Sequence, residues 1–178
     1  MNLPNKLTMA RVICVPIFIV LYLMNYNYIA AVVFILASAT DALDGHIARS
    51  RGLVTNFGKI MDPLADKVLV ISALCLLVES GDVAGWMLIV ILAREFTVAG
   101  LRTVAAADGL VIAAGATGKI KTILQMIAVP LLLLGNWPFV YTGIPVDQIF
   151  LWASVVMTIV SGVEYVVKNK SVFIAQGM

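Results

Sequence analysis

Charged side chains are too scarce in this sequence for a water-soluble domain. Asp, Glu, Lys and Arg make up 12% of the 178 residues and hydrophobic residues 62%, whereas soluble domains carry about a quarter charged residues. Cysteine is nearly absent. Cys14 and Cys75 both fall inside long apolar stretches, so they are expected to pack as small apolar residues and to form no disulfide. With one histidine, His46, a soft or imidazole-rich metal site lacks ligands. A net charge of only +2 gives no footprint for a nucleic-acid partner. Repeats, low-complexity tracts and a soluble appendage are also missing.

What fills the chain instead is a series of apolar runs. Six spans are expected, at residues 8–27, 29–50, 59–79, 84–107, 116–135 and 147–167, each near the roughly 20 residues that cross a bilayer. The fold class is therefore an all-α integral membrane protein, with six transmembrane helices around a polar cavity and a single domain over residues 1–178. The first run carries Pro16 and no small-residue cleavage site, so it reads as a span and not a cleaved signal. Every basic residue falls on one side of this layout: Lys6 and Arg11, then Arg49, Arg51, Lys59 and Lys67, then Arg94, Arg102, Lys119 and Lys121, and finally Lys168 and Lys170. The opposite connections carry only Glu79, Asp82 and Asp147. The positive-inside rule then puts both termini in the cytoplasm, and the basic rim favours anionic membrane lipids. Trp86, Trp137 and Trp152 fall near the outer ends of spans, as an interfacial belt does.

Four carboxylates stand out against this background. The chain reads Asp41-Ala-Leu-Asp44-Gly45-His-Ile-Ala48-Arg49, then eight residues, then Gly58-Lys-Ile-Met-Asp62-Pro-Leu-Ala-Asp66. Ionisable groups within spans are costly unless they face a cavity, a partner or an ion. Asp41 and Asp44 are spaced i, i+3, and Asp62 and Asp66 i, i+4, so two helices can each aim two carboxylates at one point. An oxygen-only ligand set selects a hard cation, Mg²⁺ or Mn²⁺ before zinc. Arg49 beside it suggests a phosphate or pyrophosphate substrate. By helical rise, Asp41 lies roughly 18 Å, Asp66 roughly 20 Å and Arg94 roughly 15 Å from the outer ends of their spans, so three helices bring charge to similar depths. Arg94 and Glu95, being adjacent, point about 100° apart and are not expected to neutralise each other fully. Arg94, Arg102, Lys119 and Lys121 imply a further anionic group to be bound, although Lys119 and Lys121 also suit topology-setting charges at a helix end.

The pattern Asp-x2-Asp-Gly-x2-Ala-Arg-x8-Gly-x3-Asp-x3-Asp resembles, at every fixed position, the signature of the CDP-alcohol phosphotransferase family of membrane enzymes. Pro4-Asn5-Lys6-Leu7-Thr8 with Arg11, Ala93-Arg94-Glu95, Leu101-Arg102 and Gly118-Lys-Ile-Lys-Thr122 with Gln125 extend the likeness to its bacterial members that join CDP-diacylglycerol to sn-glycerol 3-phosphate. The resemblance implies that Asp41, Asp44, Asp62 and Asp66 hold the metal, that Asp66 is the general base, and that Gly45, Arg49, Thr55 and Gly58 line the CDP moiety with Asn5 and Thr8 nearby. It further implies that Arg94, Arg102, Lys119 and Lys121 bind the acceptor phosphate, and that the enzyme is a homodimer in the bacterial cytoplasmic membrane. Two rival readings are a same-family enzyme with another acceptor, making cardiolipin or a phosphatidylinositol phosphate, and a small cation-coupled transporter. The transporter requires polar groups running to the outer face, where this chain is almost wholly apolar.

Overall fold

The computed structural model describes the backbone of residues 3–50, 56–107 and 115–170 and the side chains of residues 9–40, 64–65, 67–106 and 115–170. Six α-helices follow one another: α1 (Leu3–Leu23), α2 (Asn27–Ser50), α3 (Asn56–Glu79), α4 (Gly85–Ala107), α5 (Ala116–Leu133) and α6 (Val146–Lys168), with a short 3₁₀ turn at Phe139–Thr142. No strand occurs among the described residues. These helices track the six apolar runs, with one shift. The first begins at Leu3 and ends at Leu23 where a span over 8–27 is expected. Its stop is chemical. Asn25 takes a left-handed φ of 63°, and the Asn25 and Tyr26 amides donate back to the Tyr22 and Leu21 carbonyls at 2.8 and 3.0 Å, a Schellman closure with Asn in the left-handed position. The same device ends α5, where Gly135, with φ 60°, and Asn136 donate to Leu132 and Leu131 at 3.1 and 2.8 Å.

Packing divides the bundle into two groups joined by α5. Helix α1 lies against α2 and α3, α6 lies against α4 and α5, and α5 also touches α2 and α3. The apolar core runs through both groups, from Phe18, Phe34, Leu69 and Leu77 to Ile91, Val129, Leu151 and Val155, all at most 2% exposed. The Phe18 and Phe34 rings meet at 6.0 Å across the α1–α2 contact. Polar residues in the packed face of α6 satisfy themselves. Ser154, Thr158 and Ser161 donate to the carbonyls of Leu151, Ser154 and Thr158 at 2.7, 2.7 and 3.1 Å, so each buried hydroxyl is paired without help from another helix.

The outward faces are apolar as well. Ile13, Ile17, Val32, Leu36, Ile89, Phe96, Val156 and Val163 are all exposed, far more apolar surface than a soluble monomer presents to water. Helices α5 and α6 are long and apolar enough to cross a membrane, and shorter apolar stretches cover Met9–Leu23 and Asn27–Thr40 among the described residues. Helix α4 has the length but carries Arg94, Glu95 and Arg102 along it. Among the described residues there are six α-helices, and α5 and α6 meet the length and apolarity of a span over their described side chains. Cys14 is half-buried and Cys75 exposed, so Cys75 faces outward and is not the packing residue expected. At one end of the bundle Trp86 and Trp152 meet at 5.5 Å, and Gln148 donates to the Asp82 carbonyl at 3.0 Å, which ties the α3–α4 connection to the start of α6. The charges collect toward the other end.

Candidate active site

Four helices deliver side chains to one polar cluster. Glu95 of α4 is its hub. Its Oε1 accepts from Lys121 Nζ of α5 at 2.7 Å and from Arg94 Nη1 at 2.8 Å, and its Oε2 lies 3.4 Å from Lys67 Nζ of α3. Arg94 Nε donates to Ser161 Oγ of α6 at 3.2 Å. Arg94 and Glu95 are in contact, but Glu95 is shared with Lys67 and Lys121, so the adjacent pair does not neutralise itself alone. The long Arg side chain bends back, and two neighbouring glycines leave room for it. A Cβ on Gly118 of α5 would stand 2.8 Å from Arg94 Nη2, and one on Gly162 of α6 3.1 Å from Arg94 Cγ. Arg94 therefore threads between α5 and α6 where neither helix has a side chain.

Burial makes this cluster consequential. Lys121 is 4% and Glu95 9% exposed, and charges at such sites persist when paired and hydrogen-bonded. Three cations share one carboxylate, so the group retains net positive charge and stays receptive to another anion.

The cluster lines a cavity of about 1050 Å³, roomy enough for headgroup-sized ligands. All four cations expected at an acceptor phosphate, Arg94, Arg102, Lys119 and Lys121, border this one cavity. Arg102 lies with its guanidinium carbon 5.6 Å from the centre of the Tyr165 ring and donates from Nε to the Tyr165 hydroxyl at 3.2 Å. Below it Tyr165 packs with Val98 and Leu101. Thr117 donates to Glu164 Oε2 at 2.7 Å, and Glu164 also pairs with Lys168.

The aspartate motif falls on α2 and α3. Asp41 and Asp44 sit one turn apart near the end of α2, together with Gly45 and Arg49, and Asp62 and Asp66 one turn apart on α3, with Gly58 before them. Helix α2 packs on α3. Leu64 and Lys67, which flank Asp66, both line the cavity. The side chains of Asp41, Asp44, Gly45, Arg49, Gly58, Asp62 and Asp66 lie outside the described residues, as do those of Asn5 and Thr8 on α1, and all of Thr55. One contact leads toward them. Arg11, 1% exposed, donates from Nε to the Ala37 carbonyl at 3.2 Å, one turn before Asp41 on α2.

The sequence model of the CDP-alcohol phosphatidyltransferases matches residues 1–160. The chain belongs to that family. Among curated proteins it is similar to the CDP-diacylglycerol–glycerol-3-phosphate 3-phosphatidyltransferase of Bacillus subtilis (strain 168), 48% identical over 94% of this chain and 95% of that protein. The protein of the same name from Rickettsia typhi is 41% identical over 97% and 99% of the two chains. A probable phosphatidylglycerophosphate synthase of Mycobacterium tuberculosis H37Rv is 36% identical over 94% and 81%. Family membership and apolar helices together make this a membrane protein of phospholipid synthesis.

Several residues of this family member's site escape the sequence. Glu95 is legible as a charge but not as a hub, since nothing in the spacing brings Lys67 and Lys121 to it. Ser161, Tyr165 and Gly162 carry no signal beyond their type, and Gly118 only its place in the quoted motif, because their roles exist only where α4, α5 and α6 meet. Gln125 had one available signal, its place one turn beyond Lys121.

Proposed function

We propose that this chain transfers the phosphatidyl group of CDP-diacylglycerol to sn-glycerol 3-phosphate, giving phosphatidylglycerophosphate and CMP. The observation that carries the acceptor is the buried convergence of Lys67, Arg94 and Lys121 on Glu95 in a cavity that Arg102 and Lys119 also line. A phosphate dianion balances such a cluster, whereas a neutral alcohol leaves it uncompensated. Relatives that cover nearly the whole chain bear the name of this reaction.

The donor set Asp41, Asp44, Asp62 and Asp66 fits a divalent oxygen-seeking cation. Four carboxylates on two packed helices supply hard ligands and no thiol. When bound, Mg²⁺, or Mn²⁺ in its place, supplies charge neutralisation on the pyrophosphate and the departing CMP. Gly45, Arg49, Thr55 and Gly58 line the CDP moiety, with Asn5 and Thr8 at its edge. Arg94, Arg102, Lys119 and Lys121 hold the acceptor by its phosphate. Asp66 takes the proton of the acceptor hydroxyl, whose oxygen forms a bond to the phosphatidyl phosphorus as the bond from that phosphorus to the CMP oxygen breaks. Holding both partners in line is the larger part of the work.

In the full reading the chain is a single membrane domain, its six helices all span the bilayer, and both termini and the cavity face the bacterial cytoplasm. The diacylglycerol donor enters from the membrane and the soluble acceptor from the cytoplasm. The chain acts as a homodimer.

The test is CMP release by purified protein in detergent from CDP-diacylglycerol with Mg²⁺, offering glycerol 3-phosphate, phosphatidylglycerol and inositol phosphate separately. Release with glycerol 3-phosphate alone is expected. Release with a different acceptor overturns the acceptor assignment, and release with none overturns the reaction.

A further inference from the structure

Among the described residues that line the cavity, one buried side-chain donor has no hydrogen-bond partner. It is Nε2 of Gln125 on α5, a residue 4% exposed. A buried amide donor left unsatisfied is costly, so its place on the cavity wall calls for an acceptor from a bound molecule. Val70 of α3, Ile91 of α4 and Met126 of α5 line the same cavity and offer no acceptor side chain. The cations nearby are engaged with Glu95, and none can accept a hydrogen bond from an amide.

From this geometry we infer that Gln125 is a specificity-determining residue, donating from Nε2 to the uncharged hydroxyl of the acceptor. The inference rests on the acceptor proposed above and adds what distinguishes it from other small phosphate esters. Gln125 follows Lys121 by one turn, about 6 Å along the axis. That is comparable to the size of a small phosphate ester, so a molecule held by its phosphate at Lys121 and Arg94 brings its carbon chain and hydroxyls to Gln125. A neutral amide suits a neutral hydroxyl, and a charged side chain at this depth would itself need a counter-charge. The hydroxyl read in this way is the middle one, since the terminal one is consumed in the reaction.

The experiment compares kcat/KM for sn-glycerol 3-phosphate and 3-hydroxypropyl phosphate, which keeps the phosphate and the reacting hydroxyl and lacks the middle one. CDP-diacylglycerol is the donor, and wild type, Gln125→Met and Gln125→Leu are measured in detergent. Wild type is expected to prefer glycerol 3-phosphate by roughly 10- to 100-fold, the range of one hydrogen bond to a buried partner. In the variants that preference falls to within about threefold, through loss on glycerol 3-phosphate and with little change on the analogue. A wild type that uses both alike overturns the inference, and so does a variant that keeps the preference or loses both substrates equally. Failure of both variants to fold assigns Gln125 to packing and overturns it too. Wild type inactive with glycerol 3-phosphate but active with another acceptor overturns the parent reading, a result distinct from all of these.

Discussion

Replacing Glu95 with glutamine removes the carboxylate that three cations share and leaves every other atom of the cluster in place. The cost follows from burial. Lys121 has 5% and Arg94 14% of its side chain exposed, so neither can turn to water for a new counter-charge. Removing one partner of a buried ion pair costs about 3 to 5 kcal/mol. The retained amide oxygen still accepts a hydrogen bond from Lys121, so about 3 kcal/mol is the better expectation. For a chain of this size each kcal/mol moves Tm by about 2–4 °C, giving a drop of roughly 6–12 °C. The assay is thermal unfolding in detergent of wild type, Glu95→Gln, Lys121→Met and the double variant. The double variant is expected to lose less than the sum of the single losses, since Lys121 no longer needs a counter-charge while Arg94 and Lys67 remain without Glu95. If Glu95→Gln unfolds within about 2 °C of wild type, or the double variant loses the sum of the single losses, Glu95 does not hold these cations and the account of the cluster is wrong.

Three further outcomes are expected. Asp66→Asn keeps the shape of the proposed base and removes its function, so CMP release falls by roughly 10²- to 10⁴-fold while the unfolding temperature holds; activity near wild type would remove Asp66 from that role. Gly162→Ala sets a methyl 3.1 Å from Arg94 Cγ, whereas Gly100→Ala meets nothing within 4 Å, so the first raises KM for the acceptor several-fold and the second leaves it unchanged; equal effects would show that Arg94 has slack. Chelation with EDTA abolishes CMP release, and Mg²⁺ or Mn²⁺ restores it; full activity in chelator would exclude a divalent ion from the proposed mechanism.

Much of the fold was legible because its signals are local. Each apolar run became a helix, and the turn residues Asn25 and Gly135 sit at the closures between runs. The misplaced start of α1 has a plain cause: Leu3 to Leu7 form helix while being too polar to count toward a span. Arg94, Arg102, Lys119 and Lys121 were legible as a group because charge in an apolar chain is conspicuous, and they do border one cavity. Their pairing was not legible. Lys67 of α3 and Lys121 of α5 meet Glu95 only through the packing of separate helices, and the room for Arg94 beside Gly118 and Gly162 is set by helices distant in sequence. Spans were the other difficulty. Apolarity predicts six, but buried charge on α4 lowers that helix's own apolar signal, since the residues that serve the cavity are those that make a helix look unlike a span.

The passage of Arg94 between two glycines has a consequence for assembly. One side chain, anchored on α4, fits α5 at Gly118 and α6 at Gly162 with clearances too small for a methyl group at either. A slip of α5 by one residue would bring Thr117 or Lys119 to that spot, and a slip of α6 would bring Ser161 or Val163. Apolar helices in lipid have many nearly equal ways to lie together, since Leu, Ile and Val faces fit one another in several registers. Arg94 works as an alignment pin, favouring one longitudinal setting of three helices and crowding the neighbouring ones.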